Sequence, residues 1–383
     1  MDRPYDVVLF GATGFTGALT AEYLAAHPPA KWALAGRDPA RLRALSDRLG
    51  LDLPLLQADV TDPHSLREVA SSARVVITTV GPYVSYGEPL VAACAEAGTD
   101  YVDLTGEPEF VDRMYLNHHA QAVETGARIV HACGFDSIPH DLGVYFTIQQ
   151  LPADMPLRVQ GYVQANAAFS GGTFHSAITA FSRRRESMSV HRERRKAEPP
   201  LEGRRARAVP GRPHRRTGLN AWALPLPNID PDVVRRSAVA LDAYGPDFSY
   251  SHYVAVKRLP AAVGLTAGTA GLVTAAQFSP VRNWLLGRIK PGDGPSPEKR
   301  AKSWFSVHFI GEGGGRKVVT KVAGGDPGYD ETAKMLAESA LCLAYDDLPK
   351  TAGQVTTTEA MGDALLARLQ RAGITFTVVG MRK

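Results

Sequence analysis

Through its first 140 residues the chain alternates short, almost unbroken apolar runs with longer stretches of helical period. Tyr5 to Phe10 (YDVVLF) reads as a strand, and after a glycine-rich turn the periodicity switches to helix over Ala18 to Ala26. Strands are expected again at Lys31 to Ala35, Leu53 to Gln57, Arg74 to Val80, Thr99 to Leu104 and Ala127 to Ala132. Helices are expected at Pro63 to Ser71, Glu88 to Ala97 and Phe110 to Thr125. Strands apolar on both faces and separated by helices predict a parallel, doubly wound α/β sheet of Rossmann type, with ligands gathered at the strands' carboxyl ends.

Beyond residue 140 the rhythm changes. Leu157 to Ala168, Ser249 to Val256, Trp304 to Glu312 and Arg316 to Ala323 alternate with a period of two, which predicts a second α+β domain with a mixed or antiparallel sheet. A helix is expected over Phe174 to Arg183 behind the Gly171-Gly172 turn, and further helices at Gly328 to Ala344 and Thr358 to Ala372, before a closing strand, Ile374 to Val379. The boundaries read as a nucleotide domain at 1–140, a second domain at 141–345 and a tail at 346–383 returning to the nucleotide domain. Tyr253 and Lys257 have the Y-x-x-x-K spacing of short-chain dehydrogenases. That device needs a helix, and SYSHYVAVK alternates as a strand, so the spacing reads as coincidence.

The turn after the first strand is Gly11-Ala12-Thr13-Gly14-Phe15-Thr16-Gly17. Gly11 permits the tight turn, Gly14 lets backbone N–H groups approach a diphosphate, and Gly17 lets the helix pack closely, so all seven residues 11–17 except Ala12 are cofactor-site candidates. The second strand ends in Gly36-Arg37-Asp38, where an NAD enzyme carries an acid for the ribose hydroxyl. Arg37, with Arg41 beside it, instead suits a 2′-phosphate and hence NADP. Asp38 precedes Pro39 and reads as a helix cap. Asp59 and Val60, after the third strand, are expected beside the adenine.

Three polar loops then converge where chemistry is expected: Gly81-Pro82-Tyr83 and Tyr86 after the fourth strand, Thr105-Gly106-Glu107 after the fifth, and Cys133 to Asp141 after the sixth. Gly81, Pro82 and Tyr83 are taken as further cofactor contacts. Tyr86, Ser137 and His140 are the candidate proton or hydrogen-bond donors, with Asp136 as orienter. No metal-ligating spacing occurs.

Composition narrows the class. A 383-residue chain with 44 % hydrophobic and 21 % charged residues is neither a small module nor disordered. Its three cysteines, Cys94, Cys133 and Cys342, lie far apart, and its charged start lacks a secretory pattern, which points to a reducing cytoplasmic setting. The net charge of +4 is concentrated: thirteen Lys or Arg stand against four Glu between Arg183 and Arg216. With its prolines, that segment reads as a mobile surface excursion, and without any nucleic-acid motif it argues against a DNA or RNA partner. The apolar stretch 259–284 is assigned to the core by default. If exposed, it would seat an acyl chain or touch a membrane.

The segments GATGFTG (11–17), LAGR (34–37), YGEPLVAACAEAGTDYVDLTGE (86–107) and ARIVHACGFDSIPHDLG (127–143) resemble the saccharopine dehydrogenase-like reductases, and more narrowly the trans-acting enoyl reductases of polyketide and lipid synthesis. The likeness continues more thinly through Ser170 to Thr173, Pro291 to Pro295 and Thr357 to Val378. It implies NADPH-dependent reduction of a carbon–carbon double bond in an acyl substrate, free or delivered by a polyketide synthase or acyl carrier protein. Two other readings stay open: oxidoreduction at a C–N bond, and a non-catalytic NADP-bound scaffold for a synthase or membrane.

Overall fold

The structure is a computed structural model that describes residues 3–166, 178, 182–278, 280–281, 284 and 294–382. The helix expected at Phe174, the Gly171-Gly172 turn before it, and the segment Pro291 to Asp293 lie outside those residues.

The first half winds β1 (Tyr5–Phe10), α1 (Phe15–Ala26), β2 (Trp32–Gly36), α2 (Pro39–Arg48), β3 (Leu55–Gln57), α3 (Pro63–Ser72), β4 (Ala73–Thr78), α4 (Tyr83–Tyr86), α5 (Glu88–Ala97), β5 (Asp100–Val102), α6 (Pro108–Thr125), β6 (Arg128–Val130) and α7 (Ile138–Ile148). The second half runs β7 (Leu157–Asn166), α8 (Arg184–Ala197), β8 (Arg205–Ala208), β9 (His214–Arg216), β10 (Ala221–Pro225), α9 (Asp230–Ala240), β11 (Asp247–Val256), α10 (Leu259–Ala276), α11 (Pro297–Arg300), β12 (Trp304–Gly313), β13 (Arg316–Gly324), α12 (Asp330–Tyr345), β14 (Gly353–Val355), α13 (Thr357–Arg371) and β15 (Thr375–Arg382).

Seven strands form a wholly parallel sheet in the order β14-β6-β5-β4-β1-β2-β3. Its central strands carry Val7, Val8, Leu9, Val75, Val76 and Ile77, all excluded from water, because helices cover both faces. The order reverses between β1 and β4, which opens a crevice at their carboxyl ends. The second sheet has eight strands in the order β15-β13-β12-β7-β11-β10-β9, with β8 also paired to β11. It is mixed, since β7 runs parallel to β11 and antiparallel to β12. Helix α7 leaves the first sheet and packs on β7, β12 and β13. Its Gly143 lets the Phe309 ring approach so closely that a Cβ there would lie 2.3 Å from Cε2.

The C-terminal segments serve both sheets. β14 pairs with β6 at the edge of the parallel sheet, and β15 pairs with β13 at the edge of the mixed one. Helix α12, grouped by sequence with the second domain, lies on α1, β4 and β5. Asp141 of α7 ties these parts together by accepting hydrogen bonds from Ser237 Oγ (2.6 Å), Thr357 Oγ1 (2.8 Å) and the Thr358 amide (2.9 Å).

Two sequence expectations are corrected. The basic segment 183–216 is not a loose excursion: it forms α8, docked along α6, and then β8 and β9 of the second sheet. Several of its cations are paired. Arg183 makes a two-pronged bond to Glu109, His191 meets Asp112, and the buried Arg194 reaches Asp112 and Glu198 while lying 4.2 Å over the Tyr115 ring. Nor is the apolar stretch from Leu259 a core element, for α10 packs chiefly against β10 and β11 and buries only Ala262 and Ala276 of its eighteen residues.

Candidate active site

The glycine turn owes its shape to three close approaches. Gly11 has φ +84°, and a Cβ on it would lie 2.6 Å from Val80 Cγ2. A Cβ on Gly17 would lie 2.2 Å from the Gly11 carbonyl oxygen and 2.9 Å from Thr79 Oγ1, which itself donates to that carbonyl at 3.1 Å. Gly14 caps α1 without any side-chain hydrogen bond and is exposed, and no acidic residue occupies the first helical turn. The amides there are left for an anion, aided by the helix dipole. Thr13 and Thr16 flank the opening half-exposed, while the Phe15 ring turns away to meet Tyr329 edge-on at 4.8 Å.

Arg37 stands exposed just past the end of β2, its Nε 4.0 Å from Asp59 Oδ2. Arg41 lies in the first turn of α2 and donates from Nη2 to the Thr13 carbonyl. Asp38 caps α2 by accepting from the amides of Ala40 and Arg41. The Asp59 carboxyl is held below its usual range by hydrogen bonds from Thr61 and more weakly by Arg37, and Val60 beside it is half-buried. An uncapped helix start, a glycine cradle and two cations at the neighbouring strand end suit a phosphorylated dinucleotide.

The loops nearer the second sheet divide. Gly81 is exposed and Pro82 half-buried. Tyr83, expected to contact the cofactor, is buried instead: its hydroxyl donates to the Thr78 carbonyl and accepts from the Leu104 amide. The Glu107 carboxylate receives the amides of Tyr83 and Val84, so this acid caps α4. Tyr86 is exposed at the end of α4. Asp103, from the YVDLTGE segment, accepts from Tyr101 and the amides of Thr105 and Ala132 and pairs with His131 at 2.6 Å, a buried array that fixes the loops after β5 and β6.

Asp136, Ser137 and His140 come together, with partners that sequence reasoning missed. Ser137 precedes α7 at φ +104° and donates from Oγ to Asp230 Oδ1 at 3.3 Å instead of capping the helix. His140 Nε2 lies 3.1 Å, and His252 Nε2 3.2 Å, from Asp230 Oδ2, which also accepts from Asn228 Nδ2. Tyr250 shares a 2.8 Å hydrogen bond with His252 Nδ1. His140, Asp230 and His252 are grouped closely enough to ligate a metal, but the Asn228 amide on the same carboxylate oxygen makes this a hydrogen-bonded array. Asp136 lies against Gly106, within reach of the Asp230 charge and with part of its surface still open.

The charges differ sharply across this cluster. Burial would raise Asp230, but the two imidazoles and Asn228 outweigh it and keep its carboxyl low. Burial and the charge of Asp230 push Asp136 up to about 7. Burial, with His252 adding to it, holds His140 down at about 4 against the pull of Asp230. Asp230 therefore carries the charge, Asp136 holds a proton near neutrality, and His140 is neutral.

A parallel sheet with this turn, joined to a mixed sheet across a crevice, defines an NADP-dependent oxidoreductase. Residues 7–130 match the family model described as the saccharopine dehydrogenase NADP binding domain. The chain is 40 % identical to a trans-acting enoyl reductase of Mycobacterium tuberculosis and 38 % identical to one of Mycobacterium ulcerans, in each case over 97 % of both chains. It belongs to the trans-acting enoyl reductase family. Its fold is that of the saccharopine dehydrogenase (L-Glu forming) from Saccharomyces cerevisiae, with a TM-score of 0.57, 14 % identity, and coverage of 98 % of this chain and 100 % of that one.

Proposed function

We propose that the protein reduces the carbon–carbon double bond of an α,β-unsaturated acyl thioester, presented by a separate synthase or acyl carrier protein. The observation that carries this reading is the charge at the crevice floor. Among the described residues, the ionisable groups that act on Asp136 and His140 are Asp230 and His252, with no Lys or Arg among them. An amino-acid substrate would need cations there for its carboxylates. Aromatic rings pack beside the cluster: Phe135 lies 5.6 Å from the His140 ring and 4.9 Å from that of Phe305. The names of the relatives agree with this chemistry.

In this reading the glycine turn seats the diphosphate, and Arg37 and Arg41 take the 2′-phosphate. NADPH supplies a hydride for the β-carbon of the acyl chain. Asp136 holds the matching proton and releases it to the α-carbon as negative charge develops on the thioester oxygen, then regains one from solvent. Ser137 and His140 keep the Asp230 charge facing Asp136.

The test is loss of NADPH absorbance with crotonyl and longer unsaturated acyl thioesters. Asp136→Asn should lower kcat by roughly 10²–10⁴ with NADPH affinity unchanged. No consumption by the parent protein would favour the scaffold reading, and consumption only with a 2-oxo acid and an amine would favour C–N chemistry.

A further inference from the structure

We propose that α10 seats the protein on an anionic lipid bilayer, with the helix sunk among the acyl chains of the near leaflet. Eighteen residues, Leu259–Ala276, form a helix of mean hydropathy 1.4, of which 11 % is buried. Leu259, Val263 and Leu265 on the helix, and Phe278, Val281 and Trp284 beyond it, are all exposed. The exposed side chains have no charged face, for the sequence from Leu259 to Val281 contains no charged residue, and the Thr266 and Thr274 hydroxyls bond back to helix carbonyls. A helix that docks in a protein groove needs a polar side for solvent, whereas one that is apolar all round needs a cover on nearly every side. Hydrocarbon provides that cover.

Charge selects the kind of bilayer. From residue 257 to residue 292 the sequence carries Lys257, Arg258, Arg282, Arg288 and Lys290 and no acid. Basic residues bracketing an apolar helix, with Trp284 near one end, match the headgroup layer of an anionic leaflet.

Topology argues for staying in the near leaflet rather than crossing. The chain leaves the mixed sheet at the end of β11 and returns at the start of β12, and both strands pair with β7. A single crossing would leave one of them on the far side, and residues 277–303 contain no second uncharged run long enough to come back. The returning segment also meets the cofactor turn. A Cβ on Gly294 would lie 2.3 Å from the Phe15 ring, and the Arg300 guanidinium lies 5.6 Å from its centre. Membrane seating would thus hold the crevice close to a source of long acyl chains.

The experiment is co-sedimentation of the full chain with vesicles of phosphatidylcholine, with or without about one-third phosphatidylglycerol. Binding is expected to the anionic vesicles and to weaken with salt. The double variant Val263→Glu/Leu265→Glu should lose at least about a hundredfold in partitioning, since two buried aliphatic side chains are replaced by charges. Its NADPH binding by calorimetry should be unchanged, which shows that it is folded. A parent chain that sediments with neither vesicle, or equally with both, overturns the proposal, as does a variant that binds as well as the parent. A second copy covering the helix would appear as a dimer that these substitutions dissolve, without vesicle binding, and that result overturns it too.

Discussion

Arg41 Nη2 donates a 3.2 Å hydrogen bond to the carbonyl oxygen of Thr13, drawing the first turn of α2 onto the glycine turn. Asp38 turns its carboxylate to the amides of Ala40 and Arg41, and Arg37 stands 4.0 Å from Asp59 at the same edge. Coenzyme choice therefore rests on whether the ribose bears a phosphate.

Arg37→Glu should raise the KM for NADPH by about tenfold to a hundredfold, the cost of one charge-assisted contact. The KM for NADH should change little or improve. Steady-state kinetics with both coenzymes checks this, and an unaltered NADPH KM would remove Arg37 from the 2′-phosphate site.

Gly17→Ala should abolish NADPH binding and lower the melting temperature, because its Cβ would fall 2.2 Å from the Gly11 carbonyl oxygen, a backbone atom of the cradle itself. Gly218→Ala is the control: nothing lies within 4 Å of a Cβ there, so binding and melting should match the parent. Calorimetric titration and thermal scans of both variants distinguish a specific clash from a general intolerance of alanine.

Asp112 is buried on α6 and faces Arg194 and Arg236 together with His191. Asp112→Ala leaves the buried Arg194 guanidinium with Glu198 as its only carboxylate partner. The expected loss of stability is about 3–5 kcal/mol, read from urea denaturation, because removing one member of a buried ion pair strands its partner's charge. If the segment from Arg183 were as loosely attached as its composition suggests, this substitution would cost almost nothing.

The nucleotide half was legible because its signals are local. Gly11 and Gly17 sit beside the strand and helix they join, and β-branched runs such as RVVIT mark buried strands directly. Asp230 and His252 were not legible. One opens a helix and the other sits on a strand, and each is ordinary until folding brings it to His140 across about a hundred positions, a meeting no spacing encodes. The basic segment failed for the same reason, since Glu109 and Asp112 lie more than seventy residues from the cations they neutralise. Tyr83 looked like a loop aromatic, and only the acceptor at Thr78 and the amide at Leu104 show why its hydroxyl points inward. For α10, apolarity alone argued for burial. A neighbouring surface to receive it was the missing fact.

Asp230→Asn tests how the crevice holds its proton. The Asp230 charge helps raise the Asp136 pKa to about 7, so a reaction that needs Asp136 protonated should lose rate as pH rises through that value. Removing the charge lowers the Asp136 pKa, and the falling limb of kcat/KM should move to more acidic pH. At pH 8 the variant should be slower than the parent, while at acid pH the two should converge. If His140 donated the proton instead, with a pKa of about 4, the parent would already have lost most of its activity by neutrality. Stability of the parent should fall over the same pH range. A carboxyl whose pKa is raised on folding favours the folded state at acid pH and progressively loses that contribution as pH climbs toward 7. Asp136→Asn, which cannot ionise, should therefore melt higher than the parent at pH 8 and gain less at pH 5. A limb that stays in place in Asp230→Asn would separate the two carboxylates and leave Asp136 without its proposed role.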